Sequence, residues 1–203
     1  YGLGKIGKEE TVVVYDLGGG TFDVTVIRVG SKNIDVLAKG GNAELGGMDW
    51  DNALTAYVAE KFIAEHGQDP RSDLVADQAL YDTCLAAKEQ LSSREKAVIT
   101  CDHAGKHLRV ELTLEEFDKI TAPLLGRTIN YLEKTVLEDA KLTWDKIDRI
   151  LMVGGSTRMK QVREEVSRIT GKKLGFEVEP DRCVAEGATL LANSDIVVDP
   201  CAP

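Results

Sequence analysis

The sequence predicts an α/β fold with a smaller helix-plus-hairpin lobe inserted near its middle. Three observations lead there. Short β-branched runs separated by turn residues fill the first forty positions, 3.6-residue apolar spacing begins near Trp50, and a strand-then-helix order returns after residue 150. The chain has 203 residues, of which 43% are hydrophobic and 29% charged, an ordinary globular composition. That length buries a core without metal or disulfide staples.

The elements follow in order. Residues 11–15 (TVVVY) form a short β-branched run suited to a buried strand. Asp16-Leu17-Gly18-Gly19-Gly20-Thr21 is a turn, after which Phe22, Val24 and Val26 alternate with Asp23, Thr25 and Ile27. A third strand over residues 34–39 completes an antiparallel meander. Trp50, Leu54, Tyr57, Val58 and Phe62 share one helical face, and residues 67–70 stop that helix. Leu80, Cys84, Ala87 and Leu91 mark a second helix. Residues 97–101 and 108–112 form a hairpin. Thr113 with Glu116 is a capping box that opens a further helix, which Pro123 is expected to break or kink before it resumes through Leu137. Residues 150–153 form a buried strand, Gly154-Gly155 a turn, and Ser156 or Thr157 a cap for the helix carrying Met159, Val162, Val166 and Ile169. A short strand near residues 176–178, a helix over about 181–192 and a frayed tail complete the chain. The expected division is 1–44 with 113–193, an insert at 45–112, and a tail at 194–203.

Charge and cysteine usage exclude several functions. There are 25 Lys and Arg against 34 Asp and Glu, for a net charge of −9. Such a chain is poorly suited to hold a nucleic-acid backbone by charge alone. An anionic ligand would need backbone donors or a metal. No apolar run approaches the ~18 residues of a membrane span. Cys84, Cys101, Cys183 and Cys201 are widely spaced, and with only three His they make a zinc site a poor expectation. They read as free thiols in a reducing cytoplasm. His66, His103 and His107 read as surface or loop residues without carboxylate partners, and Trp50 and Trp144 as core or half-exposed anchors.

Four segments can carry chemistry. In the first, Asp16 to Asp23 (DLGGGTFD), three glycines leave backbone N–H groups bare enough to approach phosphate oxygens. Asp16 and Asp23 flank the turn and suit the waters around Mg²⁺, and Thr21 adds a hydroxyl. The bland alternative is a flexible hairpin turn. No G-K-[ST] follows, so the loop is not a P-loop. The second segment is Met152 to Arg158 (MVGGSTR), where a strand ends in Gly154-Gly155 and Ser156 precedes Arg158. Ligands collect outside such strand ends, although Gly-Gly-Ser is equally an ordinary capped turn. The third is Lys88 with Ser92, four apart, either facing a ribose or base edge or lying on a solvated helix face. The fourth is Pro180-Asp181 before an Ala- and Gly-rich helix, where Asp181 is most simply an N-cap.

Together these residues resemble the seventy-kilodalton heat-shock chaperones of the DnaK type. Residues 16–23 are similar to that family's second phosphate hairpin, and Leu45-Gly46-Gly47-Met48-Asp49-Trp50-Asp51 to the segment after it. Ala87-Lys88 with Leu91-Ser92-Ser93 resembles the helix over adenosine, residues 152–158 the adenosine motif, and Pro180-Asp181 with Val184-Ala185 and Gly187-Ala188 the closing stretch. The resemblance implies an actin-like (ribonuclease H-like) ATPase lobe, a mixed sheet flanked by helices, with the inserted subdomain above. It implies ATP or ADP and Mg²⁺ as ligands. Gly18, Gly19, Gly20 and Thr21 would hold the β- and γ-phosphates. Asp16, Thr21 and Asp23 would serve catalysis, with the two acids reaching the metal through water. Gly47, Lys88, Ser92, Gly154, Gly155, Ser156, Arg158 and Asp181 would line the nucleoside.

The resemblance also implies partners: unfolded polypeptide clients held by a separate substrate domain, a J-domain co-chaperone and a nucleotide exchange factor, but no nucleic acid and no membrane. On this reading the chain is the second lobe of the ATPase domain and part of a longer protein, expected to lack the interdomain linker and peptide-binding domain unless Ile196, Val197 and Val198 (in DIVVD) are a degenerate start of that linker. The chain alone is expected to be inactive, hydrolysis needing the first lobe. Leu85, Glu89 and Glu186 depart from the family pattern and mark a divergent member. The competing readings are a metabolic kinase of the actin superfamily and an actin-like filament protein.

Overall fold

Strand β1 (Glu10–Leu17) buries Val13, Tyr15 and Leu17 completely and Val12 almost so, because it lies inside the sheet with neighbours on both sides. Strand β2 (Phe22–Val29) keeps the alternation read in the sequence, with Phe22, Val24 and Val26 buried and Asp23 exposed. Strand β3 (Asn33–Asn42) pairs with β2 through a register shift between Val26 and Ile27. The computed structural model describes residues 9–30, 33–175, 188, 189, 192 and 197–199. The expected strand at 176–178 and most of the expected helix at 181–192 lie outside them, as do Asp181, Glu186, Cys183 and Cys201.

The remaining elements are α1 (Gly47–His66), α2 (Leu74–Leu91), β4 (Lys96–His103), β5 (Lys106–Thr113), α3 (Leu114–Glu133), β6 (Arg149–Val153), α4 (Lys160–Thr170), β7 (Leu174–Gly175) and β8 (Val197–Asp199). They divide into two compact units. The first takes residues 1–47, 126–157 and 162–203, and the second Met48–Leu125 with Arg158–Gln161.

The first unit is built on a mixed six-stranded sheet of order β7-β6-β1-β2-β3-β8. Its β1-β2-β3 meander is antiparallel, whereas β6 joins β1, β7 joins β6 and β8 joins β3 in parallel. The expectation of a frayed tail is corrected at β8, where Val197, Val198 and Asp199 align with Asn33, Ile34 and Asp35. The β-branched pair carries strand propensity that the charged flanks hid. Within this unit the Tyr15 hydroxyl donates to Thr128 at 2.7 Å, and the Tyr15 and Phe22 rings meet edge to face at 4.7 Å. Burial lifts the Tyr15 phenol well above its ordinary range.

In the second unit the four residues Trp50, Leu54, Val58 and Phe62 are all fully buried, and so are Cys84 and Ala87 of α2. Asp73 caps α2 by accepting from the Val75 and Ala76 amides at 2.9 Å. The β4–β5 hairpin turns on Ala104 and Gly105, both at positive φ (49° and 71°), the signature of a two-residue type I′ loop. Ala97, Ile99, Cys101, Leu108, Val110 and Leu112 supply its buried face.

Three further expectations change. Pro123 does not break α3, which runs unbroken from Leu114 to Glu133. Its side chain is exposed, and the helix carries it at the cost of one missing backbone donor and of crowding between the ring and the Lys119 carbonyl. A π-helical segment (Lys134–Asp139) then follows, burying Thr135 and Val136. Ser156 and Thr157 do not cap α4. They sit in a 3₁₀ turn (Gly155–Arg158), where the Thr157 hydroxyl donates back to the Gly154 carbonyl at 2.7 Å.

The histidines are more engaged than their sequence context suggests. His66 and His103 are half-buried, with ring centroids 4.6 and 6.2 Å from that of Phe62. His107 lies 2.6 Å from the Asp102 carboxylate across the hairpin. The pairing register, not the sequence separation, makes those two neighbours.

The capping box forms as read: the Glu116 amide donates to the Thr113 hydroxyl at 3.2 Å, and the Thr113 amide to the Glu116 carboxylate at 3.1 Å. Thr113→Ala is expected to lower stability by about 1 kcal/mol, measured by thermal or denaturant unfolding. An unchanged midpoint would show that α3 does not depend on this cap.

Candidate functional site

The β1–β2 hairpin ends with the buried pair Leu17 and Phe22 facing each other in register. Between them the chain must turn in four residues, and the Gly18 amide closes the turn on the Thr21 carbonyl at 3.0 Å. The Gly18 carbonyl then accepts two further bonds within the first unit. One comes from the Gly47 amide at 2.9 Å, where α1 begins, and one from the Ser156 hydroxyl at 2.9 Å, in the turn after β6. Three separate stretches of chain therefore meet at one peptide oxygen, whose two lone pairs are both used.

The glycines around this point divide by the reason glycine stands there. A Cβ on Gly46 would lie 2.5 Å from both the Gly19 carbonyl oxygen and the Gly20 nitrogen, so this position is closed by backbone. Gly154 has φ +84°, and its Cβ would fall 2.3 Å from the Leu17 carbonyl oxygen and 2.8 Å from Asp16 Oδ1. Gly19 and Gly20 are different. Neither takes left-handed backbone, a Cβ on either would meet nothing within 4 Å, and both are exposed. Folding does not require glycine at these two positions; bare backbone on an open face is what it provides.

Asp16 and Asp23 are register partners on the β1–β2 pair, which sets the two carboxylates on the same face of the sheet at the base of the turn. Asp16 is half-buried and Asp23 exposed. Burial, and next the charge of Asp23, hold the Asp16 carboxyl above the usual carboxylate range. Two hard oxygen donors carrying like charge on one face suit a divalent cation such as magnesium. No cluster of three or more His, Cys, Asp or Glu gathers among the described residues.

The expected site residues thus sort into three groups. Asp16, Gly18, Gly19, Gly20, Thr21, Asp23, Gly47, Gly154, Gly155 and Ser156 all belong to the first unit, and Gly47 and Ser156 each bond to the Gly18 carbonyl. The Gly18 amide, expected to face phosphate, bonds the Thr21 carbonyl within the fold, and the Gly47 amide and Ser156 hydroxyl, expected along the nucleoside, bond the Gly18 carbonyl. Lys88, Ser92 and Arg158 belong to the second unit. Lys88 is neither solvated nor fully open: its ammonium lies 2.8 Å from the Asp51 carboxylate, and the pair's side chains keep only 11% and 1% exposure. Ser92 stands at the C-terminal cap of α2, its hydroxyl 3.4 Å from the Lys88 carbonyl. Asp181 lies outside the described residues.

Gly46 and Asp51 lie in the segment at 45–51 that resembles the family, but the sequence reading gave neither a role of its own. Gly46 sits beside Gly47, and nothing in the sequence separates their roles. Asp51 carried a usable signal: it lies three before Leu54 and seven before Val58, on the apolar stripe of α1. A charged residue on that stripe demands a partner.

A family model described as Hsp70 protein matches residues 1–197.

Two outcomes follow from the geometry. Gly46→Ala is expected to lose about 1–3 kcal/mol of stability by pushing backbone against backbone, whereas Gly20→Ala stays within about 0.5 kcal/mol of the parent; equal losses in denaturant melts would refute the distinction. Asp16→Asn should raise the melting temperature at neutral pH in the absence of metal. An acid whose folded pKa is raised costs stability while ionised, so the gain should fade as pH falls through the raised pKa of Asp16. A variant less stable than the parent at pH 7 would contradict this.

Proposed function

The chain belongs to the Hsp70 protein family, and from that membership we propose that its β1–β2 turn grips the polyphosphate tail of ATP or ADP. Members of this family have an actin-like ATPase fold, bind ATP and ADP and act as chaperones on polypeptide clients with co-chaperones. The observation that carries the assignment to this turn is the pair of open glycines, Gly19 and Gly20, whose lack of side chains serves neither conformation nor packing. Bare amides at the tip approach phosphate oxygens without a Cβ in the way, and the Thr21 hydroxyl, exposed beside them, adds a donor.

Asp16 and Asp23 complete the site. Bound magnesium would screen the negative charge of the phosphates through waters that these two acids orient. Asp16, the less exposed of the two, is assigned the attacking water. Gly18, Gly47 and Ser156 act one layer back, keeping the turn in shape through the Gly18 carbonyl. Lys88, Ser92, Arg158 and Asp181 are assigned to the nucleoside by resemblance, together with Gly154 and Gly155.

In this reading the chain is the second lobe of a DnaK-type nucleotide-binding domain. The strand order β3-β2-β1-β6-β7, an antiparallel meander extended by parallel strands, supports it. Hydrolysis is assigned to the complete domain, and it drives binding and release of unfolded polypeptide with the help of a J-domain protein and an exchange factor. A reducing, cytoplasmic setting fits the free buried thiols Cys84 and Cys101. Burial pushes the Cys84 thiol up to about 12, which keeps it protonated and unreactive. No helix among the described residues is long and apolar enough to cross a membrane.

Calorimetric titration with ADP and ATP, with and without magnesium, tests the assignment. Binding is expected, and Gly20→Val should weaken it about tenfold or more while leaving the melting temperature of the nucleotide-free chain nearly unchanged. Full affinity in that variant would move the phosphates elsewhere. Magnesium-dependent turnover by this chain alone is expected to be negligible. A rate matching a complete ATPase domain would overturn the division of labour between lobes.

A further inference from the structure

The Asp51–Lys88 pair has no part in the phosphate grip, yet it is the most deeply buried ion pair among the described residues. Asp51 is 1% exposed on α1, beside the fully buried Trp50 and Leu54; Lys88 is 11% exposed near the end of α2. Both lie within the second unit. Taking two charges out of water costs several kcal/mol per ion, and an apolar pair of similar volume generally serves stability as well or better. Stability by itself therefore gives little reason for a carboxylate at this place.

The surroundings show how the pair is arranged. The Thr55 hydroxyl bonds to the Asp51 backbone carbonyl at 2.9 Å, one turn along α1. From α2 the charge of Glu89 raises the Asp51 carboxyl and the Tyr81 hydroxyl lowers it. Burial raises the Asp51 acid, and Lys88 opposes that rise by hydrogen bond and charge. The two partners are unequally placed: the acid is sealed inside, and the ammonium is held at the margin. A flexible four-carbon stem loses much rotamer freedom on binding a ligand. A buried carboxylate 2.8 Å from its tip removes that freedom in advance.

We infer that Asp51 is a positioning residue for nucleotide binding, holding the Lys88 ammonium in the one orientation from which it meets the nucleoside end of the ligand. This inference rests on the nucleotide reading proposed above and extends it to a residue outside the phosphate turn. The pair also has a chemical consequence. With its charge compensated by Asp51, Lys88 acts as an oriented N–H donor toward hydroxyl or carbonyl oxygens, not as a free cation toward phosphate. Its contribution is therefore independent of the number of phosphates.

The test compares two probes on the full chain, ADP and inorganic tripolyphosphate, each with magnesium, by calorimetry. In Asp51→Asn the ADP affinity is expected to fall about tenfold to a hundredfold, the range of a lost hydrogen bond to a charged group, with tripolyphosphate affinity unchanged. Asp51→Glu, which keeps the charge, should recover part of the loss. Lys88→Met and the double variant Asp51→Asn with Lys88→Met should bind ADP equally weakly, since Asp51 acts only through Lys88. If Asp51→Asn does not fold, the comparison of Asp51→Glu and of the double variant with Lys88→Met decides the matter.

A lowered melting temperature with unchanged ADP affinity would make the pair purely structural and overturn the inference. So would equal losses for both probes. If the parent chain binds tripolyphosphate but ADP no more tightly, the role of Lys88 fails while the phosphate turn stands. If the parent binds neither, the nucleotide reading fails and this inference with it.

Discussion

The carbonyl of Gly18 is the point on which the first unit's candidate site depends. It accepts the Gly47 amide and the Ser156 hydroxyl, each at 2.9 Å, while the amide of the same residue closes the hairpin turn. A tight four-residue turn on its own would leave that oxygen to water. With both lone pairs used, the hairpin, the start of α1 and the turn after β6 are held to one another by directional bonds. The cost of any displacement is then the cost of a buried polar atom without a partner. The proposed cradle of bare amides at 19 and 20 would depend on the backbone below them being held in this way.

The glycines around that carbonyl illustrate how one residue type answers two physical demands. Gly46 and Gly154 stand where backbone approaches backbone to within a distance no Cβ tolerates, and Gly154 also needs left-handed φ. They make the assembly possible. Gly19 and Gly20 stand in open space with ordinary backbone, and nothing in the fold asks for glycine there. The first kind is explained by packing. The second kind points outward, to something that must come closer to the chain than a side chain would permit.

A similar contrast holds for the buried acids. Asp16 shares its face with Asp23, and its carboxyl rises because both burial and a like charge work against ionisation. Asp51 is more deeply enclosed, but a lysine opposes the same rise. The first arrangement stores an unfavourable interaction that the proposed cation would relieve. The second is compensated within the fold and costs mainly desolvation. Both are places where the chain departs from the most stable choice, and such departures concentrate where function is asked of it.

Much of this was legible in the sequence, because it depends on local chemistry. Alternation in β2, the apolar stripe from Trp50 to Phe62, the Thr113–Glu116 box and the DLGGGTFD turn follow from side-chain period and backbone preference within a few residues. They appear in the structure where they were expected. What tertiary structure decided is where groups distant in sequence come to rest. Pro123 stays inside an α3 that runs on to Glu133. Ser156 turns from a helix cap to a clasp because a carbonyl 138 residues away is within reach. The short run near the C-terminus becomes a strand because β3 offers it an edge. Lys88 finds Asp51 across 37 residues. Periodicity records which face of an element is apolar, and the neighbour that covers that face is set by the packing of the whole chain.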